Sequence, residues 1–253
     1  MPHSPMSSLT PENASPLPPA TEAVLASFVR SASEALREDL LSIVLFGSGA
    51  EGRLRPSSDL NLLLVLARFD QARVDAFREP LRLARIAQKA AVGFVLAAEL
   101  PLFAEAFAVK FDDIQRRHRI LFGADLLASL SPSREARIQR LRQVLLNLTL
   151  RLRERYASLS LRDEQLVSVV IDLAGPLRSA AATLLDLEGT PAADGREALR
   201  QVAARERPGS EGLLEQVTHA RRTDSLPPGQ AGPLVLQLLG LVSALQARSS
   251  KLK

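Results

Sequence analysis

Five residues near the end of the first quarter of the chain have the types and spacing for phosphate chemistry. Gly47, Gly49 and Gly52 spell G-x-G-x-x-G directly after the apolar run 42–46, and Asp59 and Asn61 open the next apolar run. Glycine lets a backbone approach a phosphate closely, and free N–H groups in a turn bind its oxygens. A dinucleotide site of this spelling needs the third glycine to open a helix, with an acid about 20 residues further on. Here Gly52 is followed by Arg53, Leu54, Arg55 and Pro56, and Asp59 comes only seven residues after it. That interval has no room for a crossover helix. Two strands this close must pair antiparallel, because a parallel pair needs a connection of about a dozen residues or more. A Walker loop is excluded too, since no Gly-Lys-Ser/Thr is present. What remains is a strand, a Gly47-Ser48 turn, a short loop, and Asp59-Leu60-Asn61 on a second strand. Residues two apart on a strand share a face, so positions 59 and 61 are expected to project together.

This arrangement over residues 40–70 resembles the nucleotidyltransferase superfamily, which shares the DNA polymerase β-like fold. Its pattern is an apolar strand ending in Gly-Ser or Gly-Gly, then Asp-x-Asp or Asp-x-Glu in the next strand. Gly47-Ser48 matches the first part and Asp59-Leu60-Asn61 the second, with asparagine in place of the second acid. The resemblance implies that Gly47 and Ser48 contact the triphosphate of a nucleoside triphosphate. It also implies that Asp59 and position 61 hold magnesium, which in the family is a pair of ions about 4 Å apart aligning the attacking and leaving oxygens. The segment 111–127 is similar to the stretch after the catalytic core in some bacterial members. The helical second half is similar in kind to the substrate-side bundles of antibiotic and minimal nucleotidyltransferases.

Asn61 weakens that metal site. An amide oxygen ligates as a dipole, whereas magnesium relies on carboxylates together with substrate phosphates. Asp59 alone does not hold two ions, and one ion arriving with the triphosphate is the remaining expectation. The family also places a third carboxylate on a later strand. A strand over 92–97 contains no acid. A strand near 108–114 offers Asp112 and Asp113 beside the basic Lys110. The resemblance therefore implies a nucleotidyltransferase-family protein that transfers a nucleotidyl group to an unidentified acceptor if active, with catalysis weakened or lost. The alternative is a noncatalytic nucleotide sensor or an antitoxin-like partner-binding protein. His118 reads as surface packing near a basic turn or as a substrate contact. Neither it nor His219 has an arginine at the upstream spacing of the helical ribonuclease partners of minimal nucleotidyltransferases.

The elements that position these residues are set by periodicity. An amphipathic helix over 21–38 places Leu25, Phe28, Val29, Ala32 and Leu36 on one face, with Thr21 as its cap. Strands come next over 42–46 and 59–66, then a helix over 70–90 broken or kinked at Pro80. A strand over 92–97, a short helix over 100–107 and a strand near 108–114 complete the first half. From Arg134 onward the period is helical throughout. Helices are expected over 134–157, 163–187 with a kink at Gly175-Pro176, 194–205, 210–221 and 231–248, separated by Gly- and Pro-rich breakers. The fold class is thus an α/β nucleotidyltransferase-like domain with a small mixed sheet (20–130), followed by an all-α helical bundle (131–253). A Pro/Ser-rich tail over 1–19 reads as disordered.

Composition limits the remaining options. The chain has 253 residues, 46% of them hydrophobic, but only 4% aromatic and no tryptophan, so Leu, Ala and Val must build the core. It has no cysteine, which excludes disulfides, thiolate catalysis and cysteine-ligated zinc. A reducing, cytoplasmic setting fits. No uninterrupted apolar stretch reaches the roughly 18 residues of a membrane span. The N-terminal residues lack the basic and apolar regions of a secretory signal. The net charge of +4 is spread over the chain and comes mainly from arginine, so nucleic-acid binding draws little support. Arg134, Arg137, Arg140, Arg142, Arg151, Arg153 and Arg155 on one long helix read chiefly as a solvated face with paired acids.

Overall fold

The computed structural model describes residues 16–54, 59–206 and 211–253. The chain divides into two compact units, one of residues 1–105 and 110–132, the other of 106–109 and 133–253.

The first unit is built on a four-stranded mixed sheet. Its elements are α1 (Pro19–Leu36), a 3-10 turn (Arg37–Asp39), β1 (Leu40–Phe46), β2 (Leu60–Leu66), α2 (Gln71–Gln88), β3 (Ala90–Leu96), α3 (Leu100–Ala106), α4 (Ala108–Arg116) and β4 (His118–Gly123). The strand order is β3-β2-β1-β4. β1 and β2 pair antiparallel, as their short connection requires. β2 and β3 pair parallel, and α2 supplies the crossover between them. Asp70 caps α2 by accepting from the Arg73 N–H at 3.0 Å. The helix then runs unbroken through Pro80. α1 begins on Pro19, whose missing N–H costs nothing in a first turn. Thr21 is therefore not the cap. It is buried inside the helix and donates its hydroxyl to Gln88 Oε1 at 3.3 Å.

Alternation sorts the strand residues onto two cores. Ile43, Leu45, Leu60, Leu62, Leu64 and Leu66 face α1 and α2, where Phe28 meets Phe77 edge-on at 5.2 Å. Val44, Phe46, Leu63, Val65 and Val95 face Phe111 and Ile114 of α4. Burying each such side chain stabilises by about 2 kcal/mol. Buried Asp39 ties the base of the sheet to α2, accepting from Arg68 Nε at 2.8 Å and Arg73 Nη1 at 2.7 Å.

The strand expected near 108–114 is instead helix α4. Val109 and Phe111 mimic strand alternation, but Ala108, Phe111 and Ile114 recur every three residues and all three are buried. The fourth strand is β4, which pairs antiparallel with β1. Gly123 ends that pairing at φ +74°, and a Cβ there would lie 1.9 Å from the Leu41 carbonyl oxygen. Only glycine fits so close an approach.

The second unit holds α5 (Arg134–Leu159), α6 (Asp163–Leu187), α7 (Gly195–Glu206), α8 (Glu211–Thr223) and α9 (Ala231–Ser249) around one apolar core. α6 continues through Gly175-Pro176. By length and composition α6 and α9 are apolar enough to cross a membrane, but both contribute buried residues to this core, as all-round apolar helices do. The arginines of α5 are not only a solvated face. Arg134 donates to the Leu187 carbonyl at 3.0 Å and Arg142 to the Ser249 carbonyl at 3.2 Å, satisfying the C-terminal ends of α6 and α9. Arg140 stacks over the Phe107 ring at 5.3 Å.

Candidate functional site

β1 ends at Phe46, and the chain turns at Gly47, whose φ of +74° suits glycine. The Gly47 N–H donates to the Arg117 carbonyl at 2.8 Å. The turn then closes on itself. Glu51 N–H reaches the Gly47 carbonyl (3.3 Å), Gly52 N–H that of Gly49 (3.1 Å) and Arg53 N–H that of Ser48 (2.8 Å). Among the described residues, the N–H groups of Ser48, Gly49 and Ala50 reach no backbone carbonyl. Successive free N–H groups in a tight turn form a concavity suited to an anion.

The Arg117 side chain holds this turn from the end of α4. Its guanidinium donates to Glu51 at 3.4 Å and, through Nε, to Asp113 at 3.1 Å. Burial works against the charge, but Asp113 and Glu51 hold the Arg117 pKa above its ordinary value. Sequence reading did not single out Arg117. The available signal was its position four residues after Asp113, the spacing of an ion pair on one helix face.

Strand register places one row of residues across the whole sheet. His118 of β4 pairs with Phe46 of β1, Phe46 with Asn61 of β2, and Asn61 with Ala91 of β3. Side chains paired across strands project to the same face. Asn61 lies beside the turn, with its Nδ2 3.8 Å from where a Gly47 Cβ would stand. The amide also donates to the Asp59 carbonyl at 3.3 Å. Asp59 is exposed and sits one residue ahead of β2. His118, expected at the surface, is buried. One ring nitrogen lies 3.0 Å from the Gln115 carbonyl and the other 3.0 Å from Asp125 Oδ2.

The acid expected on a later strand is not in this row. β3 carries Ala91 beside Asn61 and Gly93 next on the same face, and has no acid between Ala90 and Leu96. Asp112 and Asp113 lie on α4, where Asp112 is buried and Asp113 is engaged by Arg117. Among the described residues, no group of three or more His, Asp or Glu side chains is placed to hold a metal ion. One exposed carboxylate and one amide do not fit a resident magnesium pair.

A cation stands at the row instead. The Lys110 Nζ lies 4.6 Å from the centroid of the Phe46 ring, within cation–π range. Burial pushes the Lys110 pKa below its ordinary value, with Asp113 opposing the shift and Arg117 reinforcing it.

No family model matches the sequence, and no curated protein matches it either. Among solved structures it is similar to the spectinomycin adenyltransferase AAD(9) from Enterococcus faecialis, determined with ATP and spectinomycin. The TM-score is 0.57 at 14% identity, over 91% of this chain and 99% of that one. At that identity the likeness is one of fold: a small mixed sheet of the nucleotidyltransferase type followed by a helical bundle.

Proposed function

We propose that the chain binds a nucleoside triphosphate at the turn Gly47–Ala50 and that its nucleotidyl transfer is weakened or lost. The observation that carries this reading is the row His118–Phe46–Asn61–Ala91, which offers an amide where the family pattern has its second acid and no acid beside it on β3. The free N–H groups of Ser48, Gly49 and Ala50 support retained phosphate binding. The fold shared with an adenyltransferase that was solved with ATP supports the choice of ligand. Each 1.36 kcal/mol of lost transition-state stabilisation costs about tenfold in rate, so losing a metal-bound carboxylate removes several orders of magnitude. Asp59 remains the residue on which any residual transfer depends.

Two measurements on the full chain test this. Isothermal titration with ATP is expected to show binding. Pyrophosphate release from ATP with magnesium is expected to stay at background with spectinomycin, the first acceptor to try, and with related aminocyclitols. Magnesium-dependent transfer that Asp59→Ala abolishes would overturn the proposed loss of catalysis. Absence of triphosphate binding would remove the reading altogether and leave the fold as a partner-binding scaffold. Asn61→Asp should strengthen magnesium affinity if position 61 faces the bound phosphates.

A further inference from the structure

We propose that Lys110 takes the place of the missing metal, so that this site binds a nucleoside triphosphate free of magnesium. The proposal rests on the triphosphate reading above and names the cation that reading leaves open.

A bound triphosphate carries several negative charges beside a turn that offers only N–H dipoles, and some positive charge must balance them. Magnesium has few ligands here, since the row presents Asn61 and Ala91, Glu51 and Asp113 are engaged by Arg117, and of the carboxylates the site reading names only Asp59 is left. Arg117 is already committed to Glu51 and Asp113. Lys110 is different. Among the described residues it makes no ion pair, and its Nζ rests on the ring of Phe46, the residue paired directly with Asn61 and followed by Gly47. The ammonium therefore lies over the last residue of β1, the neighbour in sequence of the turn. Its partial desolvation leaves the charge poorly compensated until an anion arrives, so an incoming phosphate gains more there than from a lysine in open water. The same ammonium opposes a divalent cation brought beside it.

The geometry predicts a preference opposite to that of a metal-dependent transferase. Titration of the full chain with ATP in EDTA should give an affinity equal to or tighter than in excess magnesium. Lys110→Met keeps the stem and removes the charge, and should weaken binding in EDTA by about tenfold or more, as loss of a charge-assisted phosphate contact does. Lys110→Arg should stay within about threefold of the parent. Thermal melts of all three proteins check that the fold is retained. Binding that requires magnesium overturns the proposal and leaves the triphosphate reading standing. Binding in EDTA that Lys110→Met does not change overturns it as well. No ATP binding under either condition overturns the reading itself, and the proposal with it.

Discussion

Replacing Arg117 with methionine tests how the turn at Gly47–Arg53 is held. The guanidinium bridges Glu51 of the turn and Asp113 of α4, whose side chains are only 17% and 14% exposed. Methionine fills much of the same space but leaves Asp113 without this partner and Glu51 with Arg53, 3.8 Å away. An exposed pair is worth about 0–1 kcal/mol, and breaking a fully buried one costs about 3–5 kcal/mol. At this exposure the loss should be intermediate, about 2 kcal/mol. For a chain of this length that corresponds to a fall in Tm of roughly 4–8 °C. The backbone carbonyl that accepts the Gly47 N–H is unchanged, so the effect should come from the acids that lose Arg117. Adding Asp113→Asn to Arg117→Met removes one of them and should restore part of the loss. Calorimetry or circular dichroism melts read the stability, and ATP titration reads whether the loosened turn also binds less well. A Tm within about 1 °C of the parent, or no recovery in the double variant, would refute the assignment of Arg117 as the clamp of this turn.

Gly123→Ala should cost about 3 kcal/mol, because it combines a left-handed φ with a Cβ 1.9 Å from the Leu41 carbonyl oxygen. Urea unfolding checks this, and a midpoint unchanged from the parent contradicts the β1–β4 register. In the second unit, Arg200 and then Gln201 bond the Glu197 carboxylate and lower its pKa from 4.5 to about 2. The folded value is depressed, so the stabilisation is present above the ordinary carboxylate range and fades as pH falls from 4.5 toward 2. A carboxyl NMR titration should show that low midpoint, and Arg200→Gln should raise it toward the ordinary value. A midpoint near 4.5 in the parent would contradict the pairing.

Local signals were enough for most elements. The helices of the second half were readable because Gly- and Pro-rich breakers interrupt a steady 3.6-residue period, and their observed bounds lie within two residues of those expected. The antiparallel pairing of β1 and β2 came from the length of the connection alone. The segment 108–114 reads as a strand because Val109 and Phe111 suit one, while Ala108, Phe111 and Ile114 suit the helix that forms. Short apolar runs do not distinguish the two periods. β4 was missed because its run opens with His118 and Arg119. Only pairing with β1 explains why a histidine is buried there, between Gln115 and Asp125.

The sequence by itself determined the turn at Gly47, the Asp59-x-Asn61 spacing and the division into an α/β half and a helical half, because each depends on residues close together in the chain. The tertiary structure alone decided that Ala91 stands beside Asn61, that Arg117 clamps the turn and that Lys110 lies over Phe46. Those placements join residues separated by about 30 to 66 positions, set by strand register and by the seating of α4 on the sheet, and no local period encodes them.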